Sequence, residues 1–186
     1  MKIALLRHGI PKYPDTGWVT GAEYANWLVE FNENGLTKTS RPPIKLVEMV
    51  KLYRCSICSD LLRSIESANH LGILGEKVKD KQFREAELPV INSSSIRLPP
   101  TVWTVLARIL WLFGYSQNCE SKTTARLRAK ACATKLIELA SVNNSVLLCG
   151  HGFINRDISR ELVSAGWQGK GRQSHEFWSI NVYEKP

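Results

Sequence analysis

The sequence predicts an α/β fold, a three-layer α/β/α sandwich around a mostly parallel central sheet. Apolar runs typical of buried strands occur near the N-terminus, at residues 2–6, and late in the chain, at residues 145–149. Apolar residues with helical spacing occupy residues 121–141 and 154–165. Strands that alternate with helices are typical of a parallel sheet covered on both faces. The 186 residues, 44% of them apolar, suffice for one domain over 1–186 with a full core.

The first helix is predicted after a loop that Pro11 and Pro14 enforce behind the first strand. Gly35 is expected to end this helix as a C-cap. Its apolar residues lie at positions i, i+3, i+4 and i+7, which form one face of a helix: Tyr24, Trp27, Leu28 and Phe31. A second helix is predicted over residues 44–53.

A strand followed at once by a helix is predicted in the middle of the chain. Residues 54–58 form the strand, and Ser59 is expected to be the N-cap of a helix that runs to about His70. Asp60 is then placed in the first turn, where negative charge suits the helix dipole. Arg63 also falls in this turn, so we expect its side chain near the C-terminal end of the strand.

The most hydrophobic part of the chain follows residues 82–92, which are predicted to be irregular or to contain a short strand. Residues 101–115 are predicted to form a helix, and residues 92–118 a helical cap insertion. This helix is shorter than the ~18–20 apolar residues of a membrane span, so no span is predicted. It is expected to be a buried helix, a lid over a site, or a surface for a membrane or for a partner, such as a second copy in a homodimer.

The last third of the chain alternates helix and strand. The helix at 121–141 is expected to bury one side, formed by Ala129, Cys132, Ala133, Leu136 and Ala140. The strand at 145–149 and the helix at 154–165 follow it. A loose glycine-containing loop is predicted at 166–171, and a last, alternating strand at 177–183.

Charge and cysteine content narrow the function classes. A formal net charge of +8 favours anionic ligands. The basic residues are scattered without interleaved aromatic residues, so no nucleic-acid partner is predicted. Five cysteines without regular spacing indicate no disulfide framework, and Cys55 and Cys58 lack the second pair that a zinc site needs. No signal peptide is predicted, and a reducing cytoplasm is the expected location.

Two predicted strands end in histidine flanked by glycine. Residues 7–9 read Arg-His-Gly, and residues 150–152 read Gly-His-Gly. The carboxyl ends of parallel strands meet at one edge of a sheet, so both histidines and Arg63 are expected to converge there. A loop carboxylate, Glu85 or Glu87, could reach the same edge. These groups suit covalent phosphoryl transfer: a histidine attacks phosphorus, cations stabilise the oxygens and an acid protonates the leaving oxygen.

In this respect the chain resembles the histidine phosphatase superfamily, the phosphoglycerate mutase-like enzymes. The matching segments, in order, are Leu6-Arg7-His8-Gly9, Ser59-Asp60-Leu61-Leu62-Arg63-Ser64, Phe83-Arg84-Glu85 and Gly150-His151-Gly152. The resemblance implies that His8 is the nucleophile and becomes phosphohistidine. It implies a phosphate pocket of Arg7, Arg63 and His151, with Glu85 as the proton donor. It implies no metal and no cofactor. In the resembled family the segment between the acid and the late histidine often caps the pocket, which makes Trp103 and Arg108 candidates for substrate contact.

Gly9 and Gly152 are predicted to contribute to substrate binding, because glycine permits close approach of the backbone. In the family's mutases, a Gly-x-Trp-Glu-Gly-like segment follows the acid, and no such segment follows Glu85 in this chain. This favours a phosphatase acting on a phosphorylated small molecule or phosphoprotein, and it leaves Glu87 as a rival proton donor. The alternatives are a mutase-like phosphotransferase and a non-catalytic module that binds phosphorylated ligands.

Overall fold

Residues 1–73, 76–93, 95–169, 174 and 176–185 are described by a computed structural model. The strands within these residues are β1 (Lys2–Arg7), β2 (Cys55–Cys58), β3 (Glu76–Lys79), β4 (Ser145–Gly150), β5 (Gln168–Gly169) and β6 (Ile180–Glu184). The helices are α1 (Gly21–Glu33), α2 (Ile44–Val50), α3 (Leu62–His70), α4 (Pro100–Leu112), α5 (Lys122–Asn143) and α6 (Gly152–Ser164). A short 3-10 turn covers Lys81–Phe83.

The strands form one mixed sheet in the order β3-β2-β4-β1-β6-β5. The pairs β1–β4, β2–β4 and β2–β3 are parallel, whereas β6 runs antiparallel to β1 and to β5. Arg7 is opposite Gly150, and Cys58 is opposite Cys149. The next residues along the three strands are His8, His151 and Ser59. The mostly parallel sheet therefore delivers these three side chains to one edge, as the sequence predicted for the histidines.

Helices cover both faces of the sheet. Successive strand residues point to opposite faces, and β1 is apolar on both. One face packs against α5 and α6 through Ile3, Leu5, Leu136, Ile154, Ile158 and Leu162. The other packs against α2 and α3 through Ala4, Leu6, Leu46, Val50, Ala68 and Leu71. The predicted three-layer α/β/α sandwich is confirmed. The predicted buried face of α5 is confirmed at every position, from Ala129 to Ala140.

α1 and α4 pack together outside these layers. Their shared core contains Tyr24, Trp27, Trp103 and Ala107. Only part of the apolar surface of α4 is used, since Leu106 is 38% exposed and Leu110 is 39% exposed. None of the helices in the described part of the chain combines the length and the hydrophobicity that a membrane-spanning helix needs.

Several element boundaries differ from the prediction. α2 ends at Val50 instead of 53, and α4 ends at Leu112, where the chain turns through Gly114 at φ 102°. The last strand begins at Ile180 instead of 177, because Trp178 has a left-handed φ of 62° that interrupts an extended strand.

Two strands were not predicted. β3 has the sequence Glu-Lys-Val-Lys, which shows little apolar signal because it lies at the edge of the sheet, where charged residues are common. β5 lies within the predicted loop at 166–171, of which residues 170 and 171 fall outside the described part of the chain.

Candidate active site

His8 lies just beyond the end of β1, and backbone carbonyl oxygens hold both its backbone and its ring. Its backbone N–H donates to Gly150 O (3.0 Å), which extends the β1–β4 ladder by one bond. The ring is buried, and Nδ1 lies 2.7 Å from Gly9 O. A carbonyl oxygen accepts hydrogen bonds only, so Nδ1 carries the ring proton. Neutral His8 therefore has a lone pair on Nε2.

Gly9 supports this arrangement by its small size. Its N–H donates to Ser67 Oγ (2.9 Å). A Cβ at this position would lie 2.3 Å from the Trp178 ring and 2.5 Å from Ser40 Oγ. Close packing, rather than a left-handed φ, therefore requires glycine here, because Gly9 has no positive φ.

His151 lies at the N-cap of α6 and is completely buried. Its ring contacts the His8 ring edge to face, with centroids 4.9 Å apart. His151 Nε2 lies 2.6 Å from Ser59 Oγ. His151 Nδ1 is buried and has no hydrogen-bond partner among the described residues. The two predicted histidines are thus adjacent. Of the two ring nitrogens of His151, Nε2 contacts a hydroxyl group and Nδ1 has no such contact.

Both predicted arginines are close enough to the histidine pair to act on it electrostatically. Arg63, in the first turn of α3, is 2% exposed, and it donates to Phe31 O (3.2 Å) and Asn32 Oδ1 (3.2 Å). Arg63 Nε is buried and has no partner among the described residues. The Arg7 guanidinium lies 4.2 Å from the Phe177 ring centroid. Its Nε lies 3.6 Å from the place where a Cβ on Gly152 would be, so the predicted Gly152 lies next to Arg7.

Burial and the neighbouring guanidinium groups keep both histidines neutral. Desolvation, followed by the charges of Arg63 and Arg7, lowers the pKa of His8 to about 3. The same causes, together with His8 itself, lower the pKa of His151 well below its usual value. Burial lowers the pKa of Arg63 to about 10, which leaves it charged at neutral pH. His151 therefore offers a neutral N–H group.

Acidification should destabilise the fold through these histidines. An unfolded histidine binds a proton below pH ~6.5, whereas folded His8 does so only near pH 3. The unfolded chain thus binds more protons in this window, and the contribution of His8 to stability, complete above pH ~6.5, is lost as the pH falls. The loss reaches about 1.4 kcal/mol per pH unit.

Urea unfolding at pH 7 and pH 5 measures this effect. The variant His8→Asn should lose less free energy of unfolding between the two pH values than the unmodified protein does. Equal losses in the two proteins would contradict a buried His8 that stays neutral at pH 5.

Glu85 lies at the N-terminus of α6, beside the predicted phosphate pocket. Its carboxylate accepts from the backbone N–H groups of Phe153 (3.0 Å) and Ile154 (2.9 Å). Its Oε2 lies 3.7 Å from the Cβ position at Gly152, which is also the position next to Arg7. A carboxylate here satisfies free donors of the helix and suits the positive end of its dipole. The sequence placed Glu85 near the edge of the sheet without indicating this capping contact.

Glu87 lies farther out on the same segment. Its side chain is exposed, and Oε2 accepts from the backbone N–H of Glu120 (2.8 Å). The segment is also held by Arg84, which donates to both carboxylate oxygens of Asp60 (2.6 and 2.7 Å). Hydrogen bonding to Arg84 lowers the pKa of Asp60. These contacts hold Glu85 toward α6 and Glu87 toward the loop before α5.

A cavity of about 530 Å³ lies next to this site. Its lining includes Arg63, Glu85, Glu87, Phe31, Leu28 and Arg108. Arg108 comes from α4 and donates to the carbonyl oxygens of Ala86 (2.8 Å) and Glu87 (3.3 Å). Trp103, the other predicted contact from this helix, donates to Val19 O (2.8 Å) inside the α1–α4 core and does not line the cavity.

Ser59 and Asp60 do not occupy the predicted positions in α3, and the role of Asn155 was not predicted. α3 begins at Leu62 with Leu61 as its N-cap, so Ser59 does not cap it and Asp60 precedes its first turn. Ser59 bonds to His151, which only the three-dimensional pairing of β2 with β4 reveals. Asn155 is buried on α6 and donates to Leu6 O (2.9 Å), which ties the helix to the end of β1.

Among the described residues, no group of three or more His, Cys, Asp or Glu side chains is arranged to hold a metal ion. All five cysteines are free thiols.

Solved structures match this chain over nearly its whole length, although no protein-family model and no curated protein sequence does. The open reading frame Rv3214 from Mycobacterium tuberculosis is 19% identical, with a TM-score of 0.65 over 97% of this chain and 89% of that chain. The mycobacterial glucosyl-3-phosphoglycerate phosphatase Rv2419c is 17% identical, with a TM-score of 0.63 over 97% and 88%. TTHB049 from Thermus thermophilus is 19% identical, with a TM-score of 0.59 over 98% and 92%.

Likeness at this level of identity shows a shared fold. This chain therefore shares the fold of these solved proteins. The mycobacterial glucosyl-3-phosphoglycerate phosphatase has also been solved in complex with VO3.

Proposed function

We propose that this chain, with the fold expected of a histidine phosphatase, is a metal-independent phosphatase that acts through a covalent phosphohistidine. Its substrate is a phosphomonoester or a phosphorylated side chain. The observation that carries the proposal is the neutral His8 ring, whose proton is held on Nδ1 by Gly9 O so that Nε2 has a lone pair. Two charged guanidinium groups, Arg7 and Arg63, act on this ring electrostatically and lie ready to hold an anion.

In the first step, His8 Nε2 attacks phosphorus and the bond from phosphorus to the leaving oxygen breaks. Arg7 and Arg63 stabilise the equatorial phosphoryl oxygens, and His151 donates a hydrogen bond from a neutral ring. Because Gly152 has no side chain, the phosphoryl group can come close to the backbone beside Arg7. Glu85, in its protonated form, gives its proton to the leaving oxygen.

In the second step, water replaces the departed alcohol. Glu85, now a carboxylate, accepts a proton from the water as its oxygen attacks phosphorus, and the bond between phosphorus and His8 Nε2 breaks. Inorganic phosphate and neutral His8 result. Hydrolysis, rather than transfer to a second substrate, is favoured by the lack of a mutase-like segment after Glu85, where the chain instead reads Ala86-Glu87-Leu88-Pro89.

The likeness in fold supports this class of reaction. A relative named glucosyl-3-phosphoglycerate phosphatase shares the fold, and its complex with VO3 shows that it binds an analogue of phosphate. A mutase-like phosphotransferase would need an acceptor at the same site. A non-catalytic binding module would gain nothing from a desolvated histidine lone pair, since a protonated ring binds phosphate better.

We expect phosphate release from at least one member of a panel of phosphorylated metabolites and a phosphohistidine peptide. Vanadate should inhibit it competitively, because the trigonal-bipyramidal adduct on His8 resembles the transferring phosphoryl group. EDTA should leave the rate unchanged. Absence of turnover across the panel with tight binding of a phosphorylated ligand would favour the binding module. Loss of activity in EDTA that a divalent ion restores would contradict the metal-free reaction.

We propose that residues 92–118 cap the cavity, since Arg108 of α4 and Asn118 both line it. The cytoplasmic location and the exclusion of nucleic acid remain predictions from the sequence.

The outer face of α4 is the proposed homodimer interface. Val105, Ile109 and Phe113 are 58%, 45% and 89% exposed and recur every four residues, so they form one apolar stripe. Sedimentation equilibrium should give about twice the 21.0 kDa chain mass, and Ile109→Glu should halve it. A single chain mass at all concentrations would exclude this interface.

A further inference from the structure

The buried side chains of Ser59 and His151 are in direct contact with each other. Both residues are fully buried, and Ser59 Oγ lies 2.6 Å from His151 Nε2. β2 and β4 are adjacent parallel strands, and Cys58 and Cys149 are opposite each other in the register. Ser59 and His151 follow these strand ends, so the sheet itself fixes the contact.

The direction of this hydrogen bond follows from counting protons. The backbone N–H of Leu61 donates to Ser59 Oγ (3.4 Å), so the hydroxyl oxygen already serves as an acceptor. The hydroxyl proton needs an acceptor, and within the described residues the contact that provides one is His151 Nε2. Neutral His151 then accepts at Nε2 and must carry its proton on Nδ1.

The other ring nitrogen of His151, Nδ1, is placed to donate a hydrogen bond to a bound ligand. His151 Nδ1 is buried and has no hydrogen-bond partner among the described residues. The ring packs edge to face against His8, 4.9 Å between centroids. With the proton on Nδ1, His151 offers a hydrogen bond to an anion next to His8. With the proton on Nε2, it would present a lone pair that repels phosphoryl oxygens.

We propose that Ser59 is a positioning residue that fixes His151 in the Nδ1–H tautomer, so that a neutral ring donates to the phosphoryl group. The tautomer stands on the hydrogen bonds alone, whereas its consequence for catalysis rests on the proposed phosphatase function. The pKa of His151 lies well below its usual value, so the ring carries a single proton at neutral pH. The nitrogen that holds this proton then decides whether the ring can donate to an anion.

Nitrogen-15 NMR of the histidine side chains in the unmodified protein tests the tautomer directly. We expect His151 Nδ1 to show a bound proton at pH 7, and Nε2 to show the chemical shift of an unprotonated, hydrogen-bonded nitrogen. A proton on His151 Nε2 would overturn the proposal. This measurement needs no catalytic activity and no variant, so it stands even where the proposed function fails.

Substitution separates positioning from mere packing. Ser59→Ala should give a mixture of His151 tautomers and lower kcat by about 10–100-fold, with a smaller change in KM. Ser59→Thr, which keeps the hydroxyl, should restore the single tautomer and most of kcat. Ser145→Ala is the matched control, because it removes a buried hydroxyl from the far end of β4.

Ser145→Ala should leave the tautomer and kcat unchanged. An unchanged tautomer and kcat in Ser59→Ala would contradict the proposal. If Ser59→Ala shows a mixture of His151 tautomers but the unmodified protein hydrolyses no phosphate ester, the positioning role is supported and the proposed function is rejected.

Discussion

Replacing His8 with alanine is expected to lower kcat for phosphomonoester hydrolysis by at least about 10⁴-fold. The variant loses the only nucleophile of the proposed reaction, while Arg7, Arg63 and His151 remain to bind phosphate. The fold should survive, because β1 is held through its backbone ladder to β4 and β6 and through Ile3, Leu5 and Leu6 in the two cores.

Steady-state kinetics with the best substrate of the panel, together with circular dichroism and thermal unfolding, measures this effect. His70→Ala is a suitable control, since His70 is an exposed histidine at the end of α3. The control should keep the rate within about twofold, as expected of a surface substitution. Turnover by His8→Ala within about 100-fold of the unmodified enzyme would remove His8 from the nucleophile role.

Replacing Glu85 with glutamine is expected to lower kcat by about 10²–10⁴-fold for substrates with a poor leaving group. Glutamine is nearly isosteric and its amide oxygen can still accept from Phe153 N and Ile154 N, so the α6 N-terminus keeps its hydrogen bonds. It cannot give or take the proton. The loss should be much smaller in the first step for an activated aryl phosphate, whose leaving oxygen needs no proton.

Glu87→Gln is the matched control and decides between the two carboxylates. Glu87 lines the same cavity but bonds to the backbone of Glu120, away from α6. We expect it to change kcat by no more than about threefold, as for a surface position. The burst of alcohol released in the first turnover is measured for both variants with an alkyl and an aryl phosphate. A slower burst with the alkyl phosphate alone identifies the carboxyl group that protonates the leaving oxygen. A large loss in Glu87→Gln with little in Glu85→Gln would assign the proton donor to Glu87.

The sequence predicted the edge of the sheet well because its signals are local and strong. The runs at residues 3–6 in β1 and 146–149 in β4 are apolar, and each is followed by a histidine two residues later. Parallel pairing then brings His8 and His151 together without any further information. Arg63 converges on them for the same reason, from the first turn after β2.

The features that were missed depend on pairing across long stretches of sequence. Ser59 precedes a helix, where serine usually caps, and only the neighbouring strand shows that it serves His151 instead. The contact of Glu85 with α6 joins residues 69 positions apart. Neutral His151 could not be predicted either, because the burial that removes its charge is a property of the assembled core.

The most direct test is to quench the unmodified enzyme within milliseconds of mixing it with a ³²P-labelled substrate. Phosphorus bound to His8 Nε2 should appear as an acid-labile, base-stable label that mass spectrometry maps to the peptide containing Arg7-His8-Gly9, and His8→Ala should show none. Full turnover without a label on His8, or with the label on another residue, would contradict attack by this imidazole.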